Sequence, residues 1–281
     1  MKTNKETERT EKIFQCRGRA LPLGKKTYIM GILNVTPDSF SDGGKFFALD
    51  RAVAQARLMR EEGADIIDIG GESSRPGFAP VDTEEELRRV LPVIQALAPL
   101  LDAPLSIDTT KALVARKALD AGAHIINDIW GFQRDRELAR IAAGAGAGVI
   151  LMHNSDTGAY KDIIADIRAF FRLSVAAALD AGVKPDRIIL DPGIGFGKDT
   201  AQNLEVLRRL RELAGLGFPL LMGTSRKSLV GNVLGLPAHD RLEGTAATVA
   251  LSAAYGADFV RVHDVKAMKR VAAMTDAVVR A

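Results

Sequence analysis

Residues 105–127 read LSIDTTKALVARKALDAGAHIIN and contain one full repeat of the pattern that decides the fold. A short apolar run, Leu105–Ile107, is followed by the polar Asp108, by a segment of helical character and by Gly122. The next apolar run begins at His124. Short apolar runs that alternate with longer helical segments are typical of βα units and predict a parallel sheet.

The same pattern recurs along the chain from Tyr28 onward. It predicts eight strands: Tyr28–Leu33, Asp65–Ile69, Leu105–Ile107, His124–Asn127, Gly148–Met152, Arg187–Leu190, Pro219–Met222 and Phe259–Val262. Eight units without a break in composition favour one closed barrel over an open doubly wound sheet. The predicted fold is therefore a single-domain α/β protein, a (β/α)8 or TIM barrel.

The predicted boundaries separate a tail from this domain. Residues 1–12 mix charges and are expected to form a flexible tail, and residues 13–281 the barrel domain. Within the domain, Ile13–Leu23 contains Gly18 and Pro22 and is expected to form a short hairpin over the bottom of the barrel.

The helical segments carry start and stop signals. Asp82–Leu101 is predicted to be a helix, with a capping box formed either by Asp82 and Glu85 or by Thr83 and Glu86. Several helices are expected to end at a glycine, where a left-handed residue satisfies the last carbonyl groups: Gly63, Gly122 and Gly182.

Composition and charge exclude several classes of function. The chain has 281 residues, 47% of them hydrophobic, and 38 basic against 35 acidic residues leave a net charge of only +3. No run of like charge suggests nucleic-acid binding, and no apolar segment approaches the length that spans a bilayer. The first residues lack the apolar core of a secretory signal. We therefore expect a cytoplasmic protein without nucleic-acid or membrane partners, in which Cys16 is a partly buried small apolar residue.

Polar residues follow nearly every predicted strand, where the active site of a barrel collects. They are Asn34, Glu72–Arg75, Asp108, Asn127, His153, Asp191, Ser225–Lys227, Arg261 and His263. Turn formation and capping account equally well for any single Asp, Asn or Ser in this set. Arginine, lysine and histidine are not favoured caps, so the set as a whole predicts an anion site.

Seven short motifs at the strand ends carry a more specific signal. They are NVTPDSFSDGG at 34–44, GGESSRPG at 70–77, IDTTK at 107–111, NDI at 127–129, DPGIGFGK at 191–198, TSRKS at 224–228 and RVHDV at 261–265. In this order they resemble the dihydropteroate synthase family. The resemblance implies a transferase of folate biosynthesis that joins 4-aminobenzoate to 6-hydroxymethyl-7,8-dihydropterin pyrophosphate and releases pyrophosphate. It also implies Mg²⁺ as cofactor and a homodimer.

The resemblance also implies a role for particular residues. The pterin would contact Asp108, Asn127, Met152, Asp191, Phe196 and Lys227; the pyrophosphate would contact Asn34, Ser74, Arg75, Arg261 and His263; the 4-aminobenzoate would contact Phe40, Pro76, Phe196, Lys227 and Ser228. Asp42, Lys227, Arg261 and His263 would be catalytic, and Asn34 would bind the metal.

Residue chemistry is consistent with these roles. A buried pterin must have its ring donors and acceptors paired, which Asp108, Asn127 and Asp191 can do. A departing pyrophosphate needs positive charge where its own charge accumulates. For Arg261 the alternative is a surface ion pair with Asp264, and for His263 it is a packed ring.

In the simplest form of this reaction, pyrophosphate leaves first and the arylamine then attacks the pterin methylene cation, so no enzyme nucleophile is expected. In agreement, Ser225 has no obvious base partner in the sequence. Two features depart from the family: the loop after His153, which reads NSDTG, and Ser74 in place of a threonine. Two other functions remain open, a pterin-binding methyltransferase domain and a non-catalytic pterin-binding paralogue.

Overall fold

The structure, a computed structural model, describes residues 12–36, 45–72 and 81–280. Its strands are β1 (Ile13–Cys16), β2 (Arg19–Pro22), β3 (Tyr28–Asn34), β4 (Ile66–Gly70), β5 (Leu105–Asp108), β6 (Ile125–Asp128), β7 (Gly148–Met152), β8 (Ile188–Asp191), β9 (Leu221–Met222) and β10 (Phe259–Val262). Its helices are α1 (Lys45–Glu61), α2 (Thr83–Leu97), α3 (Ala112–Asp120), α4 (Glu137–Ala145), α5 (Ile163–Asp180), α6 (Thr200–Arg208), α7 (Leu210–Ala214), α8 (Ser228–Leu234), α9 (Leu242–Ala254) and α10 (Val265–Val279).

The strands β3 to β10 form one parallel sheet in the order β8-β7-β6-β5-β4-β3-β10-β9. A parallel bridge between Leu190 and Leu220 joins its two ends, and the Leu190 N–H donates to the Pro219 carbonyl at 3.0 Å. The predicted closed (β/α)8 barrel is therefore confirmed.

The predicted strands are confirmed to within two residues at each end. The largest difference is at β9, which was expected to begin at Pro219 and begins at Leu221. Pro219 has no N–H to donate to a ladder, so it contributes only its carbonyl to the closing contact.

The hairpin is also confirmed. Strands β1 and β2 pair antiparallel, with Phe14 opposite Leu21. Phe14 and Cys16 are fully buried in an apolar cluster, the bottom layer, whose other members are Leu23, Tyr28, Met30, Ile66, Ile125, Ile150, Ile189, Leu221 and Phe259. Gly148 makes room for the hairpin, because a Cβ there would lie 2.6 Å from Cζ of Phe14. The expected tail, residues 1–12, lies outside the described residues except for Lys12.

The expected glycine ends and the N-cap of α2 are present, but the Glu85 carboxylate accepts from Arg88 and Arg89 rather than from the Asp82 N–H, so only half of the expected capping box forms. Gly63, Gly122 and Gly182 follow helices with φ of 104°, 112° and 97°, a left-handed geometry that glycine adopts readily. Asp82 caps α2, since its side chain accepts from the Glu85 N–H at 2.8 Å. No helix within the described ranges is both long and apolar enough to cross a membrane.

The alternation of side chains along each strand builds two layers inside the barrel. Residues two positions apart face the same side of a strand, and four of the bottom-layer residues are followed, two positions nearer the carboxyl end, by a polar residue. The pairs are Ile66 and Asp68, Ile125 and Asn127, Ile189 and Asp191, and Phe259 and Arg261. We call the upper set, with Asp108, the polar layer.

Candidate active site

Arg261 lies at the centre of the polar layer and is held by two carboxylates. Its Nε donates to Oδ2 of Asp68 at 2.6 Å, and its Nη2 donates to Oδ2 of Asp108 at 2.8 Å. The side chain of Arg261 is 17% exposed, and those of Asp68 and Asp108 are 0% and 9% exposed. One cation therefore holds two buried carboxylates together. The alternative pairing of Arg261 with Asp264 is wrong, because Asp264 bonds to Arg226 at 2.9 Å.

Burial changes the proton affinity of the carboxylates in this layer. It raises the pKa of Asp108 to about 7, against the attraction of Arg261 and with the repulsion of Asp68. Burial also raises the pKa of Asp191, against the attraction of Lys227. Asp191 accepts from the Gly193 N–H at 2.7 Å. Perturbed carboxylates of this kind, with a specific charge partner, are typical of functional sites.

Asn127 and Met152 complete the predicted pterin set. The amide nitrogen of Asn127 donates to Oδ2 of Asp68 at 3.2 Å. Met152 and Asp191 are register partners in β7 and β8. Asn127 and Met152 are both buried, so the structure brings the predicted pterin residues to the ends of adjacent strands.

Lys227 connects the polar layer to the loop after β8. Its ammonium donates to the carbonyl of Ile194 and lies 4.5 Å from the centroid of the Phe196 ring. Burial lowers the pKa of Lys227 to about 8, an effect that Asp191 opposes. Lys227 is thus a cation fixed by a carbonyl, a ring and a nearby carboxylate.

A cavity of about 400 Å³ opens beside Arg261. Its lining includes six predicted site residues, namely Asn34, Phe196, Lys227, Ser228, Arg261 and His263. It also includes Arg226, a member of the predicted strand-end set without an assigned ligand, and Arg241, which the sequence analysis did not place in the site. The cavity therefore combines cations with an aromatic ring and a helix N-terminus, since α8 begins at Ser228.

His263 has a partner that the sequence did not reveal. Its Nδ1 lies 3.0 Å from Oγ of Ser225, and the same Oγ accepts from the His263 N–H at 3.1 Å. The expectation that Ser225 lacks a base partner is therefore wrong. The partner lies in the next strand-end loop, which becomes a neighbour only when β9 and β10 pair.

His153 does not belong to the cationic set that the sequence suggested. Its Nδ1 lies 2.9 Å from Nζ of Lys198, and its ring packs edge-on against Phe170 at 4.8 Å. Burial and, to a smaller extent, the charge of Lys198 lower the pKa of His153 to about 3, so the ring is neutral.

Asp68 is a site residue that sequence reasoning missed. It lies inside β4, within the apolar run IIDIG, rather than after the strand. A charged residue in the middle of a parallel strand is rare, because both faces of such a strand are buried. An aspartate inside this apolar run was therefore the sequence signal that could have identified Asp68.

Five predicted site residues lie outside the described part of the chain: Phe40, Asp42, Ser74, Arg75 and Pro76. The last described residue before the second of these loops is Glu72. It pairs with Lys111, which also pairs with the buried Glu86. Glu72 is thus held by Lys111 in the loop before α3, and Lys111 is itself anchored to α2 through Glu86.

The fold and the site together define a (β/α)8-barrel enzyme with a buried polar layer and a cation-lined cavity at the carboxyl ends of its strands. The chain belongs to the pterin binding enzyme family, whose model matches residues 30–263.

Several dihydropteroate synthases are similar to this chain over most of its length. The one from Clostridium beijerinckii is 53% identical over 92% of this chain and 96% of its own length, and the one from Bacillus subtilis is 50% identical over 94% and 93%. Among solved structures, that of dihydropteroate synthase from Clostridium difficile in the presence of pteroic acid has a TM-score of 0.91 and 55% identity, over 93% of this chain and all of that one. The structure of the Xanthomonas albilineans dihydropteroate synthase with 4-aminobenzoic acid also has a TM-score of 0.91. Its sequence is 43% identical, and the match covers 96% of this chain and 98% of that one.

Proposed function

We propose that the protein catalyses, in the cytoplasm, the condensation of 6-hydroxymethyl-7,8-dihydropterin pyrophosphate with 4-aminobenzoate to 7,8-dihydropteroate and pyrophosphate. The observation that carries the proposal is the position of Arg261, which bonds to Asp68 and Asp108 and also lines the cavity with Lys227 and His263. One residue thereby links a set of ring-binding acceptors to a set of anion-binding donors. The names of the relatives, dihydropteroate synthase, support the same reaction.

In this proposal the pterin lies against the polar layer. The ring offers amino and N–H groups, and ionised Asp108 and Asp191 accept from such donors more strongly than neutral groups do. Asn127 both donates and accepts. Met152 and Phe196 pack against the ring faces, and Lys227 donates to a ring acceptor. Unpaired ring groups would each cost about 1–3 kcal/mol, which makes this array selective.

The pyrophosphate lies in the cavity. Arg261 donates to phosphate oxygens with a planar fork, and His263 donates one further hydrogen bond. Ser74 and Arg75 are proposed to approach from the second loop. As the bond between the methylene carbon and its phosphate oxygen breaks, negative charge collects on the leaving group, and fixed donors stabilise it there.

The 4-aminobenzoate completes the reaction. Its amine attacks the pterin methylene cation, a carbon–nitrogen bond forms, and the amine loses one proton to solvent or to Asp42. Phe196, Lys227 and Ser228 are proposed to bind its ring and carboxylate, because they line the cavity at the start of α8. Phe40 and Pro76 are proposed to cover it and exclude water from the cation.

Mg²⁺ is proposed as the cofactor, with Asn34 as its protein ligand. The amide oxygen of Asn34 is a ligand type that Mg²⁺ accepts, and Mg²⁺ takes most of its remaining ligands from water and substrate phosphates. Within residues 12–36, 45–72 and 81–280, no group of three or more His, Cys, Asp or Glu side chains is placed to hold a metal. When bound, the ion would neutralise charge on the pyrophosphate. Chelation should then reduce pterin pyrophosphate binding more than free pterin binding.

A homodimer is proposed from the surface of three neighbouring helices. Large apolar residues are exposed on α8, α9 and α10: Val233, Leu234, Leu251, Met274 and Val278. Exposed apolar patches on a protein of this kind mark interaction surfaces. Light scattering after size exclusion should give twice the 30.1 kDa chain mass, and Leu251→Glu should shift that mass towards a monomer.

The test of the proposed activity is coupled pyrophosphate release. The purified protein receives pterin pyrophosphate with or without 4-aminobenzoate. Release that requires both substrates, with dihydropteroate as product, supports the proposal. Binding of the pterin without release at high protein concentration would refute it and favour the non-catalytic paralogue, while methyl transfer to a corrinoid would favour the methyltransferase.

A further inference from the structure

Two neighbouring loops at the carboxyl ends of the strands pack backbone against backbone. We call residues 153–160, after β7, and 192–198, after β8, the paired loops. A Cβ at Gly193 would lie 2.0 Å from the His153 carbonyl oxygen, and one at Gly197 would lie 2.2 Å from that of Ser155. Both glycines also have positive φ, 69° and 55°. Only glycine fits at either position, so the contact between the loops is close along their length.

Lys198 joins the paired loops from within. Its Nζ lies 2.9 Å from Nδ1 of His153 and donates to the carbonyls of Gly193 and Phe196, also at 2.9 Å. A lysine ammonium has three N–H donors, and these acceptors use all three. Because the His153 ring is neutral, its Nδ1 can accept the hydrogen bond. Burial lowers the pKa of Lys198 to about 7, an effect that nearby Asp191 opposes.

The loop that Lys198 holds also makes contacts with the proposed pterin site. The carbonyl of Ile194 accepts from Lys227, and the ring of Phe196 lies under the same ammonium. The N–H of Gly193 donates to Asp191. A shift of residues 193–196 would therefore move both the Lys227 ammonium and the Asp191 carboxylate.

We propose that Lys198 is a positioning residue for the pterin site. Through His153 and two loop carbonyls it fixes the loop after β8, and through that loop it fixes Asp191, Phe196 and Lys227. Lys198 is absent from the lining of the cavity and acts at a distance from the substrate. The inference rests on the proposed function, because those three residues are taken there to bind the pterin.

Other contacts of the paired loops do not involve the Lys198 ammonium and should remain when Lys198 is replaced. The Tyr160 hydroxyl donates to the Gly197 carbonyl at 2.9 Å, and Gln202 donates to the Gly158 carbonyl at 3.1 Å. Asn203 accepts from the Gly195 N–H at 2.8 Å. The loss in a Lys198 variant should therefore be local, with geometry altered in residues 193–196 rather than the barrel unfolded.

The first experiment measures pterin pyrophosphate affinity by calorimetry. Lys198→Met removes the three donors at similar volume, and Lys198→Arg retains a cation with several N–H groups. Lys117→Met, on the exposed side of α3, is the matched control. Lys198→Met should weaken affinity about 10- to 100-fold, the range for a lost hydrogen bond to a charged group. Lys198→Arg should recover part of that loss, and Lys117→Met should match the wild type.

A double-mutant cycle separates positioning from general destabilisation. If Lys198 acts through Lys227, then Lys198→Met should cost much less in a Lys227→Met background than in the wild type. Losses that simply multiply would mean that the two lysines act independently, which would overturn the proposed action of Lys198 through Lys227.

Amide hydrogen exchange provides a readout that does not depend on catalysis. In Lys198→Met, amides of residues 193–198 should exchange faster, while those of α3 keep their wild-type rates. A wild-type protein that binds no pterin would count against the proposed function, and the exchange data would still decide whether Lys198 holds the loop. Unchanged exchange in residues 193–198 of a folded Lys198→Met variant would refute the inference.

Discussion

The bottom layer and the polar layer are built on the same strands, two residues apart, and have opposite chemistry. The bottom layer packs Phe14 of the hairpin edge-on against Phe259, with ring centroids 5.8 Å apart. In the polar layer Asp68 is buried, and its Oδ1 has no hydrogen-bond partner among the described residues. Ser106 is the register partner of Asp68 in the next strand, and its buried Oγ also has no partner among the described residues. Apolar burial stabilises the fold, whereas an unpaired buried polar group destabilises it. The comparison indicates that the bottom layer carries stability and the polar layer carries function.

The largest effect should come from Phe14→Ala in the bottom layer. Phe14 is fully buried, and removing such a ring costs about 3–5 kcal/mol. Urea denaturation should show this loss, while kcat per folded molecule stays at the wild-type value. Leu113→Ala, at a side chain that is 44% exposed, is the control and should change stability little. A large fall in kcat for folded Phe14→Ala would contradict the separation of the two layers.

Arg261→Ala tests the polar layer. Loss of a donor to a developing anion reduces kcat by about 100- to 1,000-fold, and affinity for pterin pyrophosphate should fall far more than affinity for free pterin. Steady-state kinetics and calorimetry measure the two effects. Arg116→Ala, at an exposed ion pair with Glu137, is the control. Equal losses for both ligands would make Arg261 a structural residue only.

Asp108→Asn should act on binding with a smaller effect. The substitution replaces an acceptor by a group that presents a donor to the ring N–H groups, and affinity for free pterin should fall about 10- to 100-fold. The measurement is calorimetry with the free pterin. Wild-type affinity in this variant would remove Asp108 from the pocket.

The same variant should alter the pH dependence of stability. An Asp whose pKa is raised in the folded state binds more protons there than in the unfolded chain, so stability falls as pH rises between the two values. For Asp108 the window runs from 3.8 to about 7. The free energy of unfolding should therefore decline less steeply with pH across this window in Asp108→Asn than in the wild type. Parallel curves for the two proteins would mean that Asp108 is not perturbed.

The smallest effect should come from chemical modification of the bottom layer. Burial raises the pKa of the Cys16 thiol to about 12, against the attraction of Arg19 and Arg187, and only the thiolate reacts with alkylating reagents. Iodoacetamide should label the native protein very slowly and the urea-unfolded protein quickly. Because Cys16 is the single cysteine, mass spectrometry gives the extent directly. Rapid labelling of native protein would show that the hairpin opens.

Much of the fold could be predicted from the sequence, because strand, strand end and helix cap are local patterns. The polar ends at Asp108 and Asp191 and the hairpin at Ile13–Leu23 are examples. Pairings across the barrel could not be predicted. Arg261 bonds to Asp68, 193 residues away, and no local pattern selects that partner over the adjacent Asp264.

The two histidines teach the same lesson about the site. His153 and His263 both follow a strand, and the strand-end pattern by itself places both in the predicted anion site, although the family resemblance assigns a ligand only to His263. The structure makes His153 a neutral acceptor for Lys198, while His263 lines the cavity beside Ser225. The difference arises from which loop packs against each ring, and this depends on tertiary packing that composition and spacing do not encode.

The closure of the ring has a consequence for synthesis. Tyr28 pairs with Phe259 and Gly31 with Val262, so β3 can pair with β10 only after residues 259–262 have left the ribosome. Until then one edge of β3 presents unpaired N–H and carbonyl groups, which can template association with other nascent chains. Such late, non-local pairing also slows folding. The yield of folded protein should therefore depend on how many chains are made at once.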